Sequence, residues 1–261
     1  MTEHHLDDTV THAYWDRDVD VRLEIESGGV LVVECAEPIG QVTPTWTDDD
    51  FAAADPSLAH ALSGAIYVKG ARPGDTLEID ILQMEHTGWG WSGHIPHFGL
   101  LADDFDSAHL HHWELQGSIC RFADGIEVPA EPFPGVIGVA PSESGRLDTF
   151  PPRSNGGNLD TRDLVDGSTA WLPIHADGAL FSIGDCHSAQ GDGEVCGAAV
   201  ESPMTATIRL SVRRDLDVAE FQARRRTRSA LSDSEVHITT AHGPDLYENA
   251  RNATRYMIEW L

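Results

Sequence analysis

The chain has 261 residues, which is enough for a substantial hydrophobic core, and its composition is strongly acidic. Aspartate and glutamate together number 43, against 17 lysines and arginines, which gives a formal net charge of -26. Because such a surface repels phosphate groups, the composition argues against nucleic acid and anionic membranes as partners.

The basic residues and the cysteines indicate the cellular setting. Lys69 is the only lysine, and an acidic, lysine-poor surface suits a cytoplasm with molar salt, where charges are screened within about 3 Å. We therefore predict a halophilic source. The four cysteines are scattered without a Cys-x-x-Cys pair, so no disulfide framework is expected. With no basic N-terminal start and no apolar run of about 18 residues, we expect neither a signal peptide nor a transmembrane helix, and a cytoplasmic location.

Strand patterns dominate the chain from its N-terminal part onward. Over residues 19–24, 29–35 and 76–84, β-branched residues alternate with polar ones or cluster between turn residues, which is typical of strands. A short helix is predicted over residues 55–62, because a proline stands in its first turn. Residues 140–158 are rich in Pro, Gly and Ser and predict a long connection of the kind that often carries function.

Residues 182–201 hold the most informative cluster of polar side chains. Asp185 and His187 stand two residues apart, and so do Glu194 and Cys196. An extended segment directs residues i and i+2 to the same face, so each pair can project into one cavity. Two carboxylates, an imidazole and a thiol are typical of a metal site or of acid-base catalysis, and the alternative is a polar surface turn.

The glycines between the two pairs predict the local backbone path. Gly191 and Gly193 permit the tight reversal that joins two strands of a hairpin. Residues 204–212 alternate polar and apolar side chains and predict a half-buried strand, which we expect to pair with this hairpin.

The end of the chain carries a basic block and the clearest helical pattern. The block, Arg224 to Arg226 with Arg228, is interpreted as pairing with acidic groups. Apolar residues then recur at spacings of three and four, which predicts a helix with a core-facing stripe. The stripe consists of Leu246, Ala250, Ala253, Met257 and Leu261. Since no repeat or low-complexity linker is present, we expect a mainly β fold with a C-terminal helix. We also expect one unit over residues 1–261, in which β subdomains could occur.

Several segments resemble one protein family. Residues 184–194 read Gly-Asp-Cys-His-Ser-Ala-Gln-Gly-Asp-Gly-Glu, and this run resembles the Gly-Asp-x-His-x-x-Gln-Gly-Asp-Gly-Glu signature of the acetamidase/formamidase family. Residues 70–75, 89–91, 134–138 and 151–160 fit the pattern of the same family. The resemblance implies a β-sandwich-like architecture and an amidohydrolase that cleaves the C–N bond of a small linear amide, giving a carboxylate and ammonia.

The spacing of the polar residues and the family motif together predict a metal-dependent site. Asp160, Asp185 and His187 are expected to hold a divalent metal, zinc or alternatively calcium, because catalytic zinc has three protein ligands and an open position. Glu194 is expected to carry the proton between water and the leaving nitrogen. Plainer interpretations exist, because Asp160 could stabilise a turn and His187 could be a core histidine.

The substrate is expected to contact three further residues. Asn158 lies two residues before Asp160 and could orient the amide or act as a ligand, while Gly157 and Cys196 complete the predicted binding set. Cys196 could instead be a small buried hydrophobic residue or, with a nearby base, a nucleophile.

The sequence is compatible with three functions. The first is hydrolysis of a small linear amide, the second is hydrolysis of a cyclic amide such as a lactam, and the third is a β-sandwich that binds a metal or ligand without catalysis. Glu194 favours an enzyme, because a binding module has no need of a spare carboxylate beside its ligands. The expected partners are the amide substrate and further copies of the chain in a homo-oligomer.

Overall fold

The computed structural model describes residues 3–226 and 234–261, and strands far outnumber helices in them. In chain order the strands are β1 (Glu3–Leu6), β2 (Thr11–His12), β3 (Leu23–Glu26), β4 (Gly29–Cys35), β5 (Leu62–Lys69), β6 (Thr76–His86), β7 (Trp89–His94), β8 (His109–Gln116), β9 (Ile119–Ala123), β10 (Ile126–Pro129), β11 (Phe133–Gly138), β12 (Gly156–Asn158), β13 (Thr169–Pro173), β14 (Phe181–His187), β15 (Met204–Arg213), β16 (Gln222–Arg226) and β17 (Glu235–Thr239). The helices are α1 (Asp48–Ala52) and α2 (Leu246–Trp260), with a single 3-10 turn at Pro56–Leu58. The predicted mainly β class with a C-terminal helix is confirmed.

A seven-stranded sheet forms one layer of the core. Its strand order is β1-β4-β15-β6-β13-β16-β17, and only the β1–β4 pair is parallel. β15 lies between β4 and β6 and alternates buried and half-buried side chains, because one face meets the core and the other is partly solvated. The predicted strand at residues 204–212 is therefore present. Its expected partner is wrong, because residues 188–203 carry no strand that could pair with it.

A six-stranded sheet forms the facing layer. Its path is β12-β11-β14-β5-β2, with β3 pairing in parallel with β5. Every residue of β11 and β14 is buried, and side chains from both sheets merge into one hydrophobic cluster that includes Ile81, Ile208, Phe133 and Ile183. Each large apolar side chain buried in this way contributes about 1.5–3 kcal/mol to stability. The fully buried pair β11–β14 ends at Asp185 and His187.

A four-stranded meander, β10-β9-β8-β7, adds a second cluster beside the sandwich. Phe51 from α1 and Trp91 from β7 pack edge to face in it, with ring centroids 5.3 Å apart. Trp91 also exchanges backbone hydrogen bonds of 2.8 Å with Glu201. The meander is thereby joined to the segment that follows β14.

Two sequence predictions in the first third of the chain are only partly right. The strand expected at residues 19–24 begins at Leu23, because the preceding residues form a connection in which the Arg22 guanidinium donates to the carbonyl oxygens of Asp7 and Val10. The helix expected at residues 55–62 is reduced to the 3-10 turn. His60 adopts a φ of 61°, which no right-handed helix accommodates, and β5 starts at Leu62.

The C-terminal helix is present, but its predicted stripe does not face the core. None of its residues is buried, and within the stripe only Ala253 and Met257 are half-buried. Leu246 and Leu261 are 84% and 88% exposed, because α2 packs on the edge strand β17 rather than between the sheets. Periodicity correctly predicted the helix and wrongly predicted how much of it is covered.

The arginine block pairs with acidic side chains where the structure describes it. Arg224 Nη1 lies 3.5 Å from Glu235 Oε2, and Arg225 Nε lies 2.6 Å from Asp163 Oδ1. Arg228 lies outside the described residues. None of the helices in the described ranges combines the length and apolar character that a bilayer crossing requires.

Candidate active site

Two of the predicted metal ligands lie at the end of β14. Asp185 and His187 are both buried, and Asp185 Oδ1 lies 3.6 Å from His187 Nε2. Asp185 has a φ of 50°, so the strand departs from ideal alternation just before it ends. The side chains still converge, as the i, i+2 spacing predicted.

Asp160 reaches the same point from the strand on the other side of β11. It follows β12 with a φ of 44°, and its backbone N–H donates to the carbonyl oxygen of Gly135 at 3.1 Å. One oxygen of Asp160, one oxygen of Asp185 and one ring nitrogen of His187 all lie within 4.8 Å of one another. The three predicted ligands are therefore brought together by β11, β12 and β14.

The close approach depends on a glycine in β11. A Cβ atom at Gly135 would lie 2.7 Å from the Asp185 carbonyl oxygen, 2.8 Å from His187 Cε1 and 2.9 Å from Asp160 Oδ1. These distances are shorter than real Cβ contacts, and the backbone oxygen cannot rotate away. No larger residue fits at this position without moving the cluster.

We expect Gly135→Ala to lower the free energy of unfolding by about 1–3 kcal/mol, the usual cost of an extra methyl group in a packed interior. Urea denaturation measures it. Gly191→Ala is the matched control, because a Cβ there meets no atom within 4 Å, and its effect should stay within about 0.5 kcal/mol. Equal effects of the two substitutions would contradict the packing argument.

Glu194 lies in a turn rather than in a strand. Its φ is 40°, its N–H donates to the Gly191 carbonyl, and its own carbonyl accepts from Gly197. The predicted extended hairpin over residues 182–201 is therefore wrong, since the chain curls after His187. The turn nevertheless brings Glu194 to the site, where it forms a second group with His187 and Glu201 within 4.8 Å.

Sequence reasoning missed Glu201 and His60. Glu201 is buried, its Oε2 lies 3.2 Å from His187 Nε2, and its Oε1 accepts from the Ala199 N–H at 2.7 Å. His60 Nε2 lies 3.9 Å from Asp185 Oδ2, and its Nδ1 is 3.0 Å from the hydroxyl of Thr149. Neither residue stands at a telling spacing from the others, so no local pattern could have identified them.

The acidic side chains disturb one another's ionisation. Burial, followed by the charge of Asp185, raises the pKa of Asp160 to about 8. Burial, followed by the charge of Glu201, raises the pKa of Glu194 to about 7, and burial likewise raises the pKa of Glu201. Each of these carboxyl groups keeps its proton to a higher pH than an exposed one, because burial and the neighbouring carboxylates disfavour its charged form.

The pKa values of Asp185 and His187 shift in the directions that favour the charged form of each group. Burial opposes a charge on Asp185, but the charges of His60 and His187 outweigh it and hold the pKa of this carboxyl below its usual range. Burial also opposes a charge on His187, yet the carboxylates of Glu201 and Asp185 outweigh it and raise the pKa of the imidazole. The cluster thus stabilises positive charge at its centre.

Gln190 fixes the orientation of His187. The Gln190 amide Nε2 donates to the carbonyl oxygen of Asp160 at 2.8 Å, so its Oε1 is left to accept from His187 Nδ1, also at 2.8 Å. With the proton held on Nδ1, the Nε2 atom faces the carboxylates. This is the arrangement of a histidine prepared to ligate through Nε2.

The carboxylates of the cluster line a cavity of about 240 Å³. Asn158, Cys196, His60 and the acidic residues line it, and the Oδ1 atom of Asn158 is buried without a hydrogen-bond partner among the described residues. Gly157 lies behind this wall, where a Cβ would approach Cα of Pro152 to 3.4 Å. The thiol of Cys196 donates to the Ala198 carbonyl. Asn158 thus leaves a buried acceptor without a described partner in the wall of the cavity.

Comparison with known proteins gives a consistent result. The model of the acetamidase/formamidase family matches residues 2–146 and 143–229. The acetamidase of Mycolicibacterium smegmatis is 30% identical over 252 residues, covering 72% of this chain, and the formamidase of Methylophilus methylotrophus is 28% identical over 245 residues, also covering 72%. The chain spans 60% to 63% of the length of the curated relatives it matches. The crystal structure of a recombinant predicted acetamidase/formamidase from the thermophile Thermoanaerobacter tengcongensis superimposes with a TM-score of 0.89 at 25% identity, covering 99% of this chain and 82% of that one.

Proposed function

Because the chain belongs to the acetamidase/formamidase family, we propose that it hydrolyses the C–N bond of an amide to a carboxylate and ammonia. The observation that carries this proposal is that Asp160, Asp185 and Glu194 line one cavity and converge on the buried His187. An amide resists water because resonance weakens its carbonyl as an electrophile and its nitrogen as a leaving group. The site must therefore polarise the oxygen, activate water and protonate the nitrogen.

The residues present fit a divalent metal. The Oδ1 atom of Asp160 is buried without a hydrogen-bond partner among the described residues, and one oxygen of Asp160, one oxygen of Asp185 and one nitrogen of His187 lie within 4.8 Å of one another. We propose that Asp160, Asp185 and His187 hold it, and the imidazole nitrogen favours zinc over calcium, which prefers oxygen ligands. Such an ion supplies a Lewis acid for the carbonyl and lowers the pKa of water to about 7.

Glu194 is the proposed proton carrier. It lines the cavity, is not fully buried, and lies beside the proposed ligand His187, where a carboxylate can accept and release a proton. The Glu194 carboxylate takes a proton from the attacking water and returns it to the amide nitrogen, which leaves as ammonia. A binding module without catalysis would have no use for this group.

The remaining residues have supporting roles in the proposal. Asn158 forms part of the cavity wall, from which it orients the substrate amide. Cys196 forms part of the wall, and its thiol is engaged with the Ala198 carbonyl, which agrees better with packing than with nucleophilic attack. Glu201 holds the other side of His187. We also propose that the protein forms a homo-oligomer and that it lies in the cytoplasm.

We further propose that the enzyme works at high salt, because its 26 excess negative charges repel one another over about 30 Å at 0.01 M salt but over only about 3 Å at 1 M. Ammonia release from formamide, acetamide, longer amides and lactams is therefore measured in KCl from about 0.1 to 2 M. We expect linear amides to be hydrolysed, and both turnover and the midpoint of thermal unfolding to rise with KCl. Choline chloride run in parallel separates screening from specific cation binding. A flat or falling midpoint would refute the salt proposal, and no release from any amide would refute the function.

A further inference from the structure

The cavity has both acidic and apolar walls. Asp160, Asp185, Glu194 and Glu201 supply the acidic part of its lining. Most of the remaining lining is made of aromatic and aliphatic side chains, namely Pro38, Ile39, Phe51, Trp91, Ile95, Phe98 and Phe150. A molecule whose amide group meets the carboxylates therefore has mainly apolar side chains around the rest of it.

The space is larger than the smallest amides require. At about 30 Å³ per non-hydrogen atom, the share of one water molecule in the liquid, a cavity of about 240 Å³ holds about eight such atoms. Acetamide would occupy about half of this volume, and formamide less. Water left against aromatic walls contributes little to binding, whereas an apolar group that displaces it is stabilised.

The inner apolar wall is preformed. Trp91 is buried, and its indole N–H donates to the buried carboxylate of Glu37 at 3.1 Å. The Phe51 ring packs on Trp91 and against Gly93, where a Cβ would lie only 2.4 Å from Phe51 Cζ. Since these rings are held by packing and a hydrogen bond, the space beside them does not collapse.

The outer wall is set by a second aromatic pair. Phe98 and Phe150 meet with ring centroids 6.3 Å apart and are 39% and 38% exposed. The Phe98 ring also rests on Gly197, where a Cβ would come within 2.3 Å of Phe98 Cε1. Large aromatic side chains so exposed in the structure gain burial when an apolar group enters between them.

We infer that this site acts on primary amides whose acyl group is apolar and larger than acetyl, up to about the size of hexanoyl or benzoyl. The inference rests on the proposed function, since it specifies which amide the acidic cluster hydrolyses. The acyl chain lies among Phe51, Trp91, Phe98 and Phe150 while the amide lies at the acidic cluster.

The test compares kcat/KM for formamide, acetamide, butanamide, hexanamide and benzamide in high salt. Each methylene group that becomes buried should raise kcat/KM by about fourfold, so hexanamide should exceed acetamide by at least about tenfold. A maximum at formamide or acetamide would overturn the inference while leaving the amide hydrolase itself intact.

Two substitutions test whether the preference for larger acyl groups depends on this cavity. Phe98→Ala should lower the hexanamide-to-acetamide ratio of kcat/KM by about tenfold, and Ala59→Leu, which fills the cavity from another side, should lower it as well. Phe122→Ala is the matched control, because Phe122 is 39% exposed like Phe98 but lies on β9 away from this cavity, and the ratio should not change. An unchanged ratio in Phe98→Ala and Ala59→Leu would contradict the assigned position of the acyl chain.

Calorimetric titration of hexanamide separates this inference from the proposed function. If no amide is hydrolysed, the function fails; hexanamide binding that is weakened in Phe98→Ala but not in Phe122→Ala would still support an apolar acyl site. Absence of both hydrolysis and binding would overturn the two together.

Discussion

Replacing Glu194 by glutamine should lower ammonia release by about 10²- to 10⁴-fold, the usual contribution of a positioned acid-base group. Glutamine keeps the volume of the side chain but cannot accept a proton. The carboxyl group of Glu194 lines the cavity, and burial together with the charge of Glu201 brings its pKa to about 7. Steady-state measurement of ammonia release with the preferred amide gives the effect on kcat.

The metal content of this variant distinguishes its role from that of a ligand. We expect Glu194→Gln to retain as much zinc as the unaltered protein, measured by elemental analysis after gel filtration. Asp192→Asn is the matched control, because Asp192 lies in the same turn with its side chain 93% exposed and paired with Arg162, and it should retain its activity within about twofold. Loss of metal together with activity in Glu194→Gln would make Glu194 a ligand and refute the assigned role.

The sequence specified the sheets better than it specified the site. Residues 29–35, 76–84 and 204–212 form strands because β-branched residues occupy alternating positions, a local preference that tertiary contacts reinforce. The C-terminal helix was equally predictable from the sequence. Its burial was not predictable, because periodicity shows that a helix has an apolar side but not whether another element covers that side.

The residues of the candidate site were predictable only where a family motif carries them, as residues 151–160 carry Asp160 and residues 184–194 carry the others. Asp185 and His187 converge because they are neighbours on one strand, and Glu194 returns through the glycine-rich turn that follows. Glu201 and His60 arrive from separate parts of the chain, and their approach depends on how β5 and the β14–β15 connection pack. Long-range packing of this kind cannot be predicted from the spacing of residues within one segment of the sequence.

Removing the proposed metal should all but abolish catalysis while the protein stays folded. Dialysis against a chelator in high salt should reduce ammonia release by at least about 10³-fold, because water without a Lewis acid is far less acidic than metal-bound water, whose pKa is about 7. Added zinc should restore the activity. A readout independent of activity is the midpoint of thermal unfolding, which should fall on chelation, since an ion that binds only the folded chain stabilises it by mass action.

The ligands themselves provide the matched variants. Asp185→Asn removes a buried carboxylate from the cluster, so zinc content and turnover should fall together, and chelation should no longer shift its unfolding midpoint. Cys196→Ala should keep its zinc and most of its activity. Full activity in protein shown by elemental analysis to be free of metal would refute the metal proposal. Cys196 would then be the candidate nucleophile, because it also lines the cavity and its thiol could act with a nearby base.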